Sequence, residues 1–556
     1  MLHLRWLGRV RYDDALALQR GLYRDSADDH LLLLEHDPVY TLGVRARLEH
    51  LLVPAASVGA ELVRADRGGD ITYHGPGQLV GYLILSLPGK RGGGMADTVA
   101  YVRSVEQLLI DALADVGLRG CGRLSDYPGV WVDPEGPEPR KIGAIGVKLS
   151  RGRTMHGFAL NVTLEPLAMF AHIVPCGITD KGVTSLHAEG LDVSMAEVVD
   201  AVVARAAELW AKGNWDRADV VHRVRHGDLA PFTRGLGAGE PVRPERSSDT
   251  SVRLRGRLAE AGVTEGLSIS SRKPSWMKVP LRTGPDYMRL KRVMKDLDLV
   301  TVCEEAGCPN IFECWNDGTA TFMINGERCT RACGFCLVDT SKPQPLDPGE
   351  PERVAEAVAR MGLRFAVVTA VARDDLPDGG AAAFAATVRA IRSQVPGCQV
   401  ELLIPDCKGD AEALGTIFDA RPDVLNHNIE TVARLQRAVR PSASYARSLS
   451  VLGRAAAAGL TVKSGIILGM GETEAEVVSA LHDLRAVGVD IVTIGQYLRP
   501  TANHLPVARW WTPEEFDSLR VVGESLGFRH VQSSPLTRSS YHAKQAAAGS
   551  APPLAR

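Results

Sequence analysis

The chain has 556 residues, a length that predicts two to four domains at about 150 residues each. Its formal net charge is −2 and 5% of its residues are aromatic, so it lacks the positive field and the stacking surface typical of nucleic-acid binding. No apolar run is long enough to predict a membrane span, and the charged N-terminus has no apolar signal-peptide core, so we expect a reducing, cytoplasmic location.

Three segments of the N-terminal half carry chemically informative residues. The first, residues 67–82 (RGGDITYHGPGQLVGY), predicts a short strand leading into His74, flanked by glycines that let the backbone approach a ligand closely. The second, residues 128–162, predicts three strands with a hairpin turn at residues 150–153. The third ends in Pro-Cys-Gly, a loop in which Cys176 can be exposed and reactive. Alone, a Gly-Pro-Gly turn or a single cysteine is often purely structural.

The composition changes near the middle of the chain. Residues 234–257 are rich in Gly, Pro, Ser and Arg with few large apolar side chains, which favours a flexible linker, although the arginines could instead mark a docking tail. We therefore predict a first domain over residues 1–233 and a second over residues 258–546. Residues 547–556 are predicted to form a disordered tail.

The C-terminal half alternates short β-rich runs with helical segments. The predicted strands lie at residues 320–326, 365–371, 399–405, 424–430, 461–468 and 491–497. Such alternation predicts parallel strands with right-handed crossovers, and six units favour a partial barrel over a closed one of eight strands. Gly469-Met470-Gly471 follows the fifth strand without the Lys-Ser/Thr of a phosphate loop, which favours a tight turn. His427 is left open, either as a satisfied interior residue or as a contact to a bound molecule.

Six of the ten cysteines form two triplets. The first triplet has the spacing C-x4-C-x5-C, and the second, within CTRACGFC, has the spacing C-x3-C-x2-C; their members are Cys303, Cys308, Cys314 and Cys329, Cys333, Cys336. Three thiolates on an iron–sulfur cube leave one iron free to chelate a small molecule. A structural zinc site is the weaker alternative, because zinc takes four ligands, usually in C-x2-C pairs. Cys398 and Cys407 lie outside both triplets and are expected to be inert thiols.

The second triplet resembles the signature of radical S-adenosylmethionine enzymes, and residues from about 275 to 546 resemble lipoyl synthase. Matching segments are RDDLPDGG (373–380), PDVLNHNIETV (422–432), VRPSASY (439–445), KSGIILGMGET (463–473), GQYLRP (495–500), HLPV (504–507) and RSSYHA (538–543). One departure is Ala370 and Ala372, where the family pattern has Ser and Asp.

This resemblance implies a radical-SAM partial (β/α)6 barrel with two 4Fe-4S clusters, one on each triplet. Ser540 matches the serine that supplies the fourth ligand of the auxiliary cluster. The cluster on Cys329, Cys333 and Cys336 is implied to receive an electron from a ferredoxin- or flavodoxin-type donor and to cleave S-adenosylmethionine to a 5′-deoxyadenosyl radical. The auxiliary cluster then gives its sulfide to C6 and C8 of an octanoyl chain.

Residues 1 to about 225 resemble lipoyl (octanoyl) transferase in all three informative segments. The resemblance implies the α/β fold of biotin and lipoate protein ligases, with Cys176 as nucleophile and Lys141 as base. A lysine acts as a base only in a desolvated setting, so we expect Lys141 to be largely buried. The residues implied to shape the acyl channel are Arg67, Gly68, Gly69, Asp70, Ile71, Thr72, Tyr73, His74, Ala144, Ile145, Gly146, Gly157, Phe158 and Ala159.

The two resemblances together imply a bifunctional enzyme of lipoate assembly. Its expected partners are octanoyl-acyl carrier protein and the lipoyl carrier domains of 2-oxoacid dehydrogenases and glycine cleavage H protein, with no nucleic acid and no membrane. A lipoate ligase is the rival for the first domain, but it must bind ATP, and no obvious adenylate-binding signature is present. The remaining alternatives are a radical enzyme with another sulfur-insertion task and an iron–sulfur scaffold with an inactive transferase.

Overall fold

The computed structural model describes residues 1–89, 96–175, 181–220, 257–269, 271–277, 292–294, 296–297, 299–301, 319–540 and 543. The chain divides into two compact units, Met1–Asp219 and Val220–Arg556. Apart from Arg257, the predicted linker lies outside the described residues, as does the predicted tail, so the domain limits stay a prediction. Among the described residues, none of the helices combines the length and the apolar composition that crossing a membrane requires.

The N-terminal unit is a mixed α/β structure. Its strands are β1 Leu2–Val10, β2 Asp29–His36, β3 Val39–Leu42, β4 Glu61–Arg64, β5 Ile71–His74, β6 Gln78–Ile84, β7 Cys121–Leu124, β8 Tyr127–Val132, β9 Arg140–Ser150, β10 Arg153–Asn161, β11 Gly182–Val183 and β12 Trp215–Asp219. Its α-helices are α1 Tyr12–Asp25, α2 Thr98–Asp115, α3 Glu165–Phe170 and α4 Met195–Ala206, and α4 continues into a π-helical turn, Ala207–Ala211.

These strands form two sheets. The larger has the order β12-β1-β2-β6-β10-β9-β8-β7, with β11 paired to β9, and the smaller has the order β4-β3-β5. Alternate leucines of β2 and β6 pack with α2 and α4 in one apolar cluster. The predicted hairpin is confirmed, because β9 and β10 join through Arg151 and Gly152, both at positive φ as a two-residue turn of this type requires.

The C-terminal unit is built from strand–helix repeats. Its strands are β13 Val300–Thr301, β14 Thr319–Ile324, β15 Phe365–Ala370, β16 Gln399–Leu403, β17 Val424–Asn426, β18 Val462–Leu468, β19 Ile491–Gln496 and β20 His530–Ser533. Its α-helices are α5 Glu350–Met361, α6 Ala381–Gln394, α7 Ala411–Asp419, α8 Gln436–Val439, α9 Tyr445–Ala457, α10 Glu474–Ala486 and α11 Pro513–Ser525. Thr473 and Thr512 begin α10 and α11 with capping boxes to glutamates three residues on.

The sheet of this unit runs in sequence order from β13 to β20. Neighbours from β14 to β20 are parallel, and β13 is antiparallel to β14. All six predicted strands are present, and the structure adds β13 and a seventh parallel strand, β20, to the predicted partial barrel. The predicted strand at 424–430 ends early, at Asn426, and Glu430 has a positive φ that regular strands do not adopt.

Candidate active sites

A cleft opens between the two sheets of the N-terminal unit. Its lining residues are Tyr12, Arg67, Gly68, Gly69, Asp70, Thr72, His74, Val80, Tyr82, Ala144, Ile145, Gly146, His156, Gly157, Phe158 and Ala159. Three separate predicted segments, at 67–74, 144–146 and 157–159, therefore meet at one place.

Two residues of the predicted channel are not in the lining. Side chains alternate between the faces of a strand, so Thr72 and His74 of β5 face the cleft while Ile71 and Tyr73 point away. Ile71 and Tyr73 pack instead into an apolar cluster with Tyr40. Ile71 and Tyr73 therefore lie beneath the cleft and not in its lining, and the use of the cleft as an acyl channel stays a prediction.

Glycines let the strands below the cleft approach closely. Gly157 of β10 pairs with Gly146 of β9 on one side and Tyr82 of β6 on the other. A Cβ on Gly157 would lie 2.1 Å from the carbonyl oxygen of Gly81, and a Cβ on Gly81 would lie 2.2 Å from the Phe158 ring. Larger residues at Gly81 and Gly157 would push the strands apart and change the floor of the cleft.

The loop before β5 is held by the buried guanidinium of Arg67. Its Nη2 donates to the carbonyl oxygen of Thr41 at 2.6 Å and to the Thr41 hydroxyl at 2.7 Å, and its Nη1 donates to the carbonyl oxygen of Gly68 at 3.0 Å. Asp70 fixes the far side, where its carboxylate accepts from His50 Nδ1 at 2.6 Å. These contacts hold the loop against β3 and against His50.

His74 and His156 line the cleft, and the ring centroid of a third buried histidine, His36, lies 5.8 Å from that of His74. Burial lowers the pKa of each below its ordinary value, to about 4 for His36. His36 Nδ1 donates to the Val10 carbonyl at 2.8 Å, so Nε2 accepts from the Tyr82 hydroxyl at 2.7 Å. His74 Nδ1 donates to Gln78 Oε1 at 2.8 Å. His156, which has a positive φ, contacts Asp66 at 2.8 Å. His36 and His74 are therefore neutral at pH 7, which suits a cleft for an uncharged chain.

Lys141 lies on β9 and is 8% exposed, so its predicted burial is confirmed, but it is not among the residues that line the cleft. Its Nζ is 5.0 Å from the centroid of the Trp131 ring. Gly129 allows this packing, because a Cβ there would lie 2.8 Å from the Cε of Lys141. The lysine is therefore held in place by an aromatic face and a close backbone.

Cys176 lies outside the described residues, within 176–180. The chain on either side of this gap is hydrogen-bonded to described parts of the unit. Before it, the Val174 N–H donates to the His50 carbonyl at 2.9 Å. After it, β11 pairs with β9 with Val183 opposite Lys141, and the Thr184 N–H donates to the Lys141 carbonyl at 2.9 Å. The segment that carries Cys176 thus runs into the strand that pairs with Lys141.

The second cysteine triplet follows β14, at the carboxyl end of the first parallel strand, where such folds place their chemistry. Neighbouring loops hold its backbone: the Cys329 N–H donates to the Asp339 carbonyl at 2.8 Å, and His504 Nε2 donates to the Cys336 carbonyl at 2.9 Å. A Cβ on Gly334 would lie 2.7 Å from the Leu505 side chain, so this turn requires glycine. The three thiols are therefore presented by a well-anchored loop.

The donor set fits an iron–sulfur cluster. Burial raises the pKa of Cys333 to about 11 and that of Cys336 to about 12, so these thiols ionise at neutral pH only when a metal replaces their protons. The Arg331 N–H donates to the Cys329 sulfur at 3.4 Å, a contact of the kind that stabilises thiolate ligands. Cys303, Cys308 and Cys314 lie outside the described residues. Ser540 is half-buried, and its role as a ligand stays a prediction.

The cysteines outside the triplets and the Cys176 loop have the properties of inert thiols. Cys398 and Cys407 are both 5% exposed. Burial raises the pKa of Cys121 and Cys398 to about 11 and that of Cys407 to about 12, which leaves them protonated at neutral pH. The burial of Cys398 and Cys407 agrees with the expectation of inert thiols, which stays a prediction.

Two open questions from the sequence are settled by hydrogen bonds. The Glu472 carboxylate accepts the N–H groups of Gly469, Met470 and Gly471 at 2.8, 2.9 and 3.2 Å, so the turn is filled by its own anion and is not a phosphate loop. His427 donates from Nδ1 to the Ile404 carbonyl at 2.9 Å and accepts at Nε2 from Ser448 at 3.0 Å. His427 is therefore a satisfied interior residue.

The comparisons with known proteins assign each half to a family model. Residues 11–207 match the lipoyl protein ligase A/B catalytic domain. Residues 256–308 match the N-terminal domain of lipoyl synthase, and residues 323–484 match the radical SAM superfamily. A solved bipartite lipoate protein ligase from Thermoplasma acidophilum is 19% identical and covers 42% of this chain and 91% of its own, with a TM-score of 0.31 that carries no further conclusion.

The curated relatives match the C-terminal half. A lipoyl synthase of Rubrobacter xylanophilus is 60% identical over 275 residues, which are 49% of this chain and 86% of the relative. One from Kineococcus radiotolerans is 54% identical over 292 residues, which are 52% of this chain and 86% of the relative. The chain therefore belongs to the lipoyl synthase family of radical SAM proteins and carries, ahead of that portion, a lipoyl protein ligase A/B catalytic domain.

Proposed function

We propose that the chain catalyses two consecutive steps of lipoate assembly. The N-terminal unit transfers an octanoyl group from acyl carrier protein to a lysine of a lipoyl carrier domain, and the C-terminal unit inserts sulfur at C6 and C8 of that chain. The observation that carries the proposal is the pairing, on one polypeptide, of a cleft with neutral buried histidines and the three-thiol loop after β14. The first step makes the octanoyl-lysine that is the substrate of the second step.

In the transfer step, the Cys176 thiolate attacks the thioester carbonyl of the octanoyl carrier, and the carrier thiol leaves with a proton. The octanoyl group then rests on Cys176 as a thioester, and the amine of the acceptor lysine attacks it to form the amide and release the cysteine. At each stage Lys141 takes the proton from the incoming nucleophile and returns it to the departing thiolate, first that of the carrier and then that of Cys176. The burial of Lys141 against Trp131, on the strand that pairs with β11, supports this role by holding the amine in place.

A lipoate ligase is the competing function for the N-terminal unit. A ligase consumes ATP and a free acid, whereas the proposed transferase needs an acyl thioester and Cys176 but no nucleotide. Incubation of the protein with a lipoyl carrier domain separates them. We expect octanoyl-carrier protein without ATP to give octanoyl-lysine; product that appears only from octanoate and ATP would establish a ligase instead.

For the sulfur-insertion step, a bound iron–sulfur cluster with S-adenosylmethionine would supply radical chemistry at the octanoyl carbons. Cys329, Cys333 and Cys336 would hold that cluster, and a ferredoxin- or flavodoxin-type protein would supply its electrons. We further propose a second cluster on Cys303, Cys308, Cys314 and Ser540 as the sulfur source. The protein itself would ligate the clusters, orient the octanoyl chain and exclude water from the site.

Iron and sulfide counts on anaerobically prepared protein test the number of clusters. Two 4Fe-4S clusters predict about eight iron atoms per chain. About four would contradict a cluster that serves as the sulfur source. A methylthiolated product from the full reaction would favour a radical enzyme with another sulfur-insertion task. If no modified product forms although both clusters are loaded, the result would favour an iron–sulfur scaffold with an inactive transferase.

Narrowing the cleft is expected to change the length of acyl chain that is transferred. A Cβ on Gly146 would lie 3.1 Å from Arg67 Cδ and 3.2 Å from the Gly68 carbonyl oxygen, so Gly146→Val fills space at the lining. The preference for octanoyl over hexanoyl, measured as the ratio of kcat/KM values, should fall about tenfold or more, since a methylene in an apolar pocket is worth about 1–3 kcal/mol.

Gly143→Ala is the control for this change. Gly143 is on the same strand, but a Cβ there would meet Leu109 at 3.3 Å and Val130 at 3.4 Å, in the apolar core and not in the cleft. It should lower stability without changing the ratio. An unaltered ratio in Gly146→Val would contradict the assignment of the cleft to the acyl chain.

A further inference from the structure

Arg331 lies between the first and second cysteines of the CTRACGFC loop and contacts two carboxylates. Its Nε and Nη2 donate to the two oxygens of Asp374 at 2.7 and 2.8 Å, and Nη2 also donates to Asp406 Oδ1 at 2.6 Å. Arg331 is 7% exposed and Asp406 is fully buried. The role of Cys329, Cys333 and Cys336 as cluster ligands does not by itself explain why an arginine lies between them.

The two carboxylates come from the ends of two further strands. Asp374 follows β15 and Asp406 follows β16, so one side chain links the cysteine loop to the next two loops at the same edge of the sheet. A planar guanidinium with a bidentate partner has one orientation, which a lysine cannot reproduce. The backbone of the same residue donates to the Cys329 sulfur at 3.4 Å. Fixing Arg331 therefore also fixes a ligand of the cluster.

This charge cluster is a poor source of stability. Asp406 Oδ2 has no hydrogen-bond partner, and Arg447 Nη1 is 3.8 Å from it. Burial alone would raise the pKa of Asp406, but the charge and hydrogen bond of Arg331 lower it below the ordinary range, so the carboxylate stays ionised. Apolar residues often replace such buried charges without loss of stability. Its place beside the cysteines points to a role in their chemistry.

We propose that Arg331, oriented by Asp374 and Asp406, is a positioning residue that shapes the Cys329–Cys333–Cys336 site and sets the reduction potential of the cluster bound there. This inference rests on the proposed function, in which these cysteines hold a cluster. Reduction adds one negative charge to the cluster. A nearby buried cation stabilises that charge and raises the potential, whereas a nearby carboxylate lowers it.

The test uses the full chain with Cys303, Cys308 and Cys314 changed to Ala, so that one cluster remains. Arg331→Gln, Arg331→Lys and Asp406→Asn are introduced separately, and each protein is reconstituted without S-adenosylmethionine. Three quantities are measured: iron per chain, the midpoint potential from a redox titration followed by electron paramagnetic resonance, and the rate of iron release to a chelator. Arg140→Gln is the matched control. Arg140, in the N-terminal unit, also contacts one carboxylate with two nitrogens and a second with one.

We expect Arg331→Gln to lower the midpoint potential, because it removes a cation and leaves two carboxylates uncompensated. Asp406→Asn should raise it. Arg331→Lys should keep the potential near that of the parent but release iron about 10- to 100-fold faster, the range found for residues that orient metal ligands. The Arg140→Gln control should match the parent in all three measurements.

Parental potential and release rate in all three variants would overturn the inference while leaving the cluster assignment intact, because iron would still be bound. If Arg331→Gln does not fold, the opposite displacement expected for Asp406→Asn and the faster release from Arg331→Lys still decide the question. Absence of iron from the parent itself would overturn the cluster assignment, and the inference with it.

Discussion

Cys176→Ser is expected to abolish octanoyl transfer, because a serine hydroxyl is almost entirely protonated at neutral pH and forms a less reactive ester than the cysteine thioester. Intact-mass measurement after incubation with octanoyl-carrier protein should show one octanoyl adduct on the parent chain and none on the variant. Cys121→Ser is the control. Cys121 belongs to the same unit, and burial raises the pKa of its thiol to about 11, so its loss should leave the adduct in place. An unchanged adduct in Cys176→Ser would refute the nucleophile assignment.

Lys141→Arg tests the base of the same reaction. Arginine keeps the positive charge at this buried position but does not release its proton, so transfer should fall by about 10²–10⁴-fold, the usual contribution of a general base. Lys148→Arg is its control on the same strand, since Lys148 is partly exposed and pairs with Asp66. If Lys141→Arg transferred octanoyl at the parental rate, charge and not proton transfer would be the function of Lys141.

Removal of the first cysteine triplet and removal of the second are expected to stop different steps of the reaction. Changing Cys329, Cys333 and Cys336 to Ala should abolish cleavage of S-adenosylmethionine, because the open iron that chelates it is lost with the cluster. Changing Cys303, Cys308 and Cys314 to Ala should spare that cleavage and stop sulfur insertion. Release of 5′-deoxyadenosine and formation of lipoyl product, measured on the same samples, separate the two effects.

A double change of Cys398 and Cys407 to Ala is the control for both triplets. These buried thiols lie outside the predicted ligand sets, so the variant should retain cleavage and insertion. Lipoyl product from the variant that lacks Cys303, Cys308 and Cys314 would show that the sulfur comes from elsewhere.

The sequence predicted the parallel strands of the repeats, because their alternation with helices is a local pattern. Most of the residues that line the cleft were implied by the resemblance to lipoyl (octanoyl) transferase. Alternation within β5 was available in the sequence and separates His74 from Tyr73, yet a family resemblance treats the run 67–74 as one segment. His156 was missed for another reason. It reaches the cleft because its backbone adopts a positive φ, and no residue type in its surroundings predicts that conformation.

Contacts between segments that are far apart in the sequence could not be predicted from it. Arg331 and Asp406 are separated by 75 positions and meet only because β14, β15 and β16 are neighbours with their carboxyl ends at one edge. β20 was missed because it is short and only partly buried, so it lacks the apolar run that marks the other parallel strands. Pairing with β19, not its own composition, makes it a strand.

The position of β20 has a consequence for how firmly the end of the chain is held. Among the described residues it pairs with β19 alone, so opening it breaks one ladder and leaves the rest of the sheet closed. Segments of this kind exchange amide hydrogens by local unfolding, at a lower free energy than the whole domain. Ser540 follows seven residues after this strand. We therefore expect local opening of this sheet edge to release the segment that carries Ser540 while the rest of the sheet stays folded.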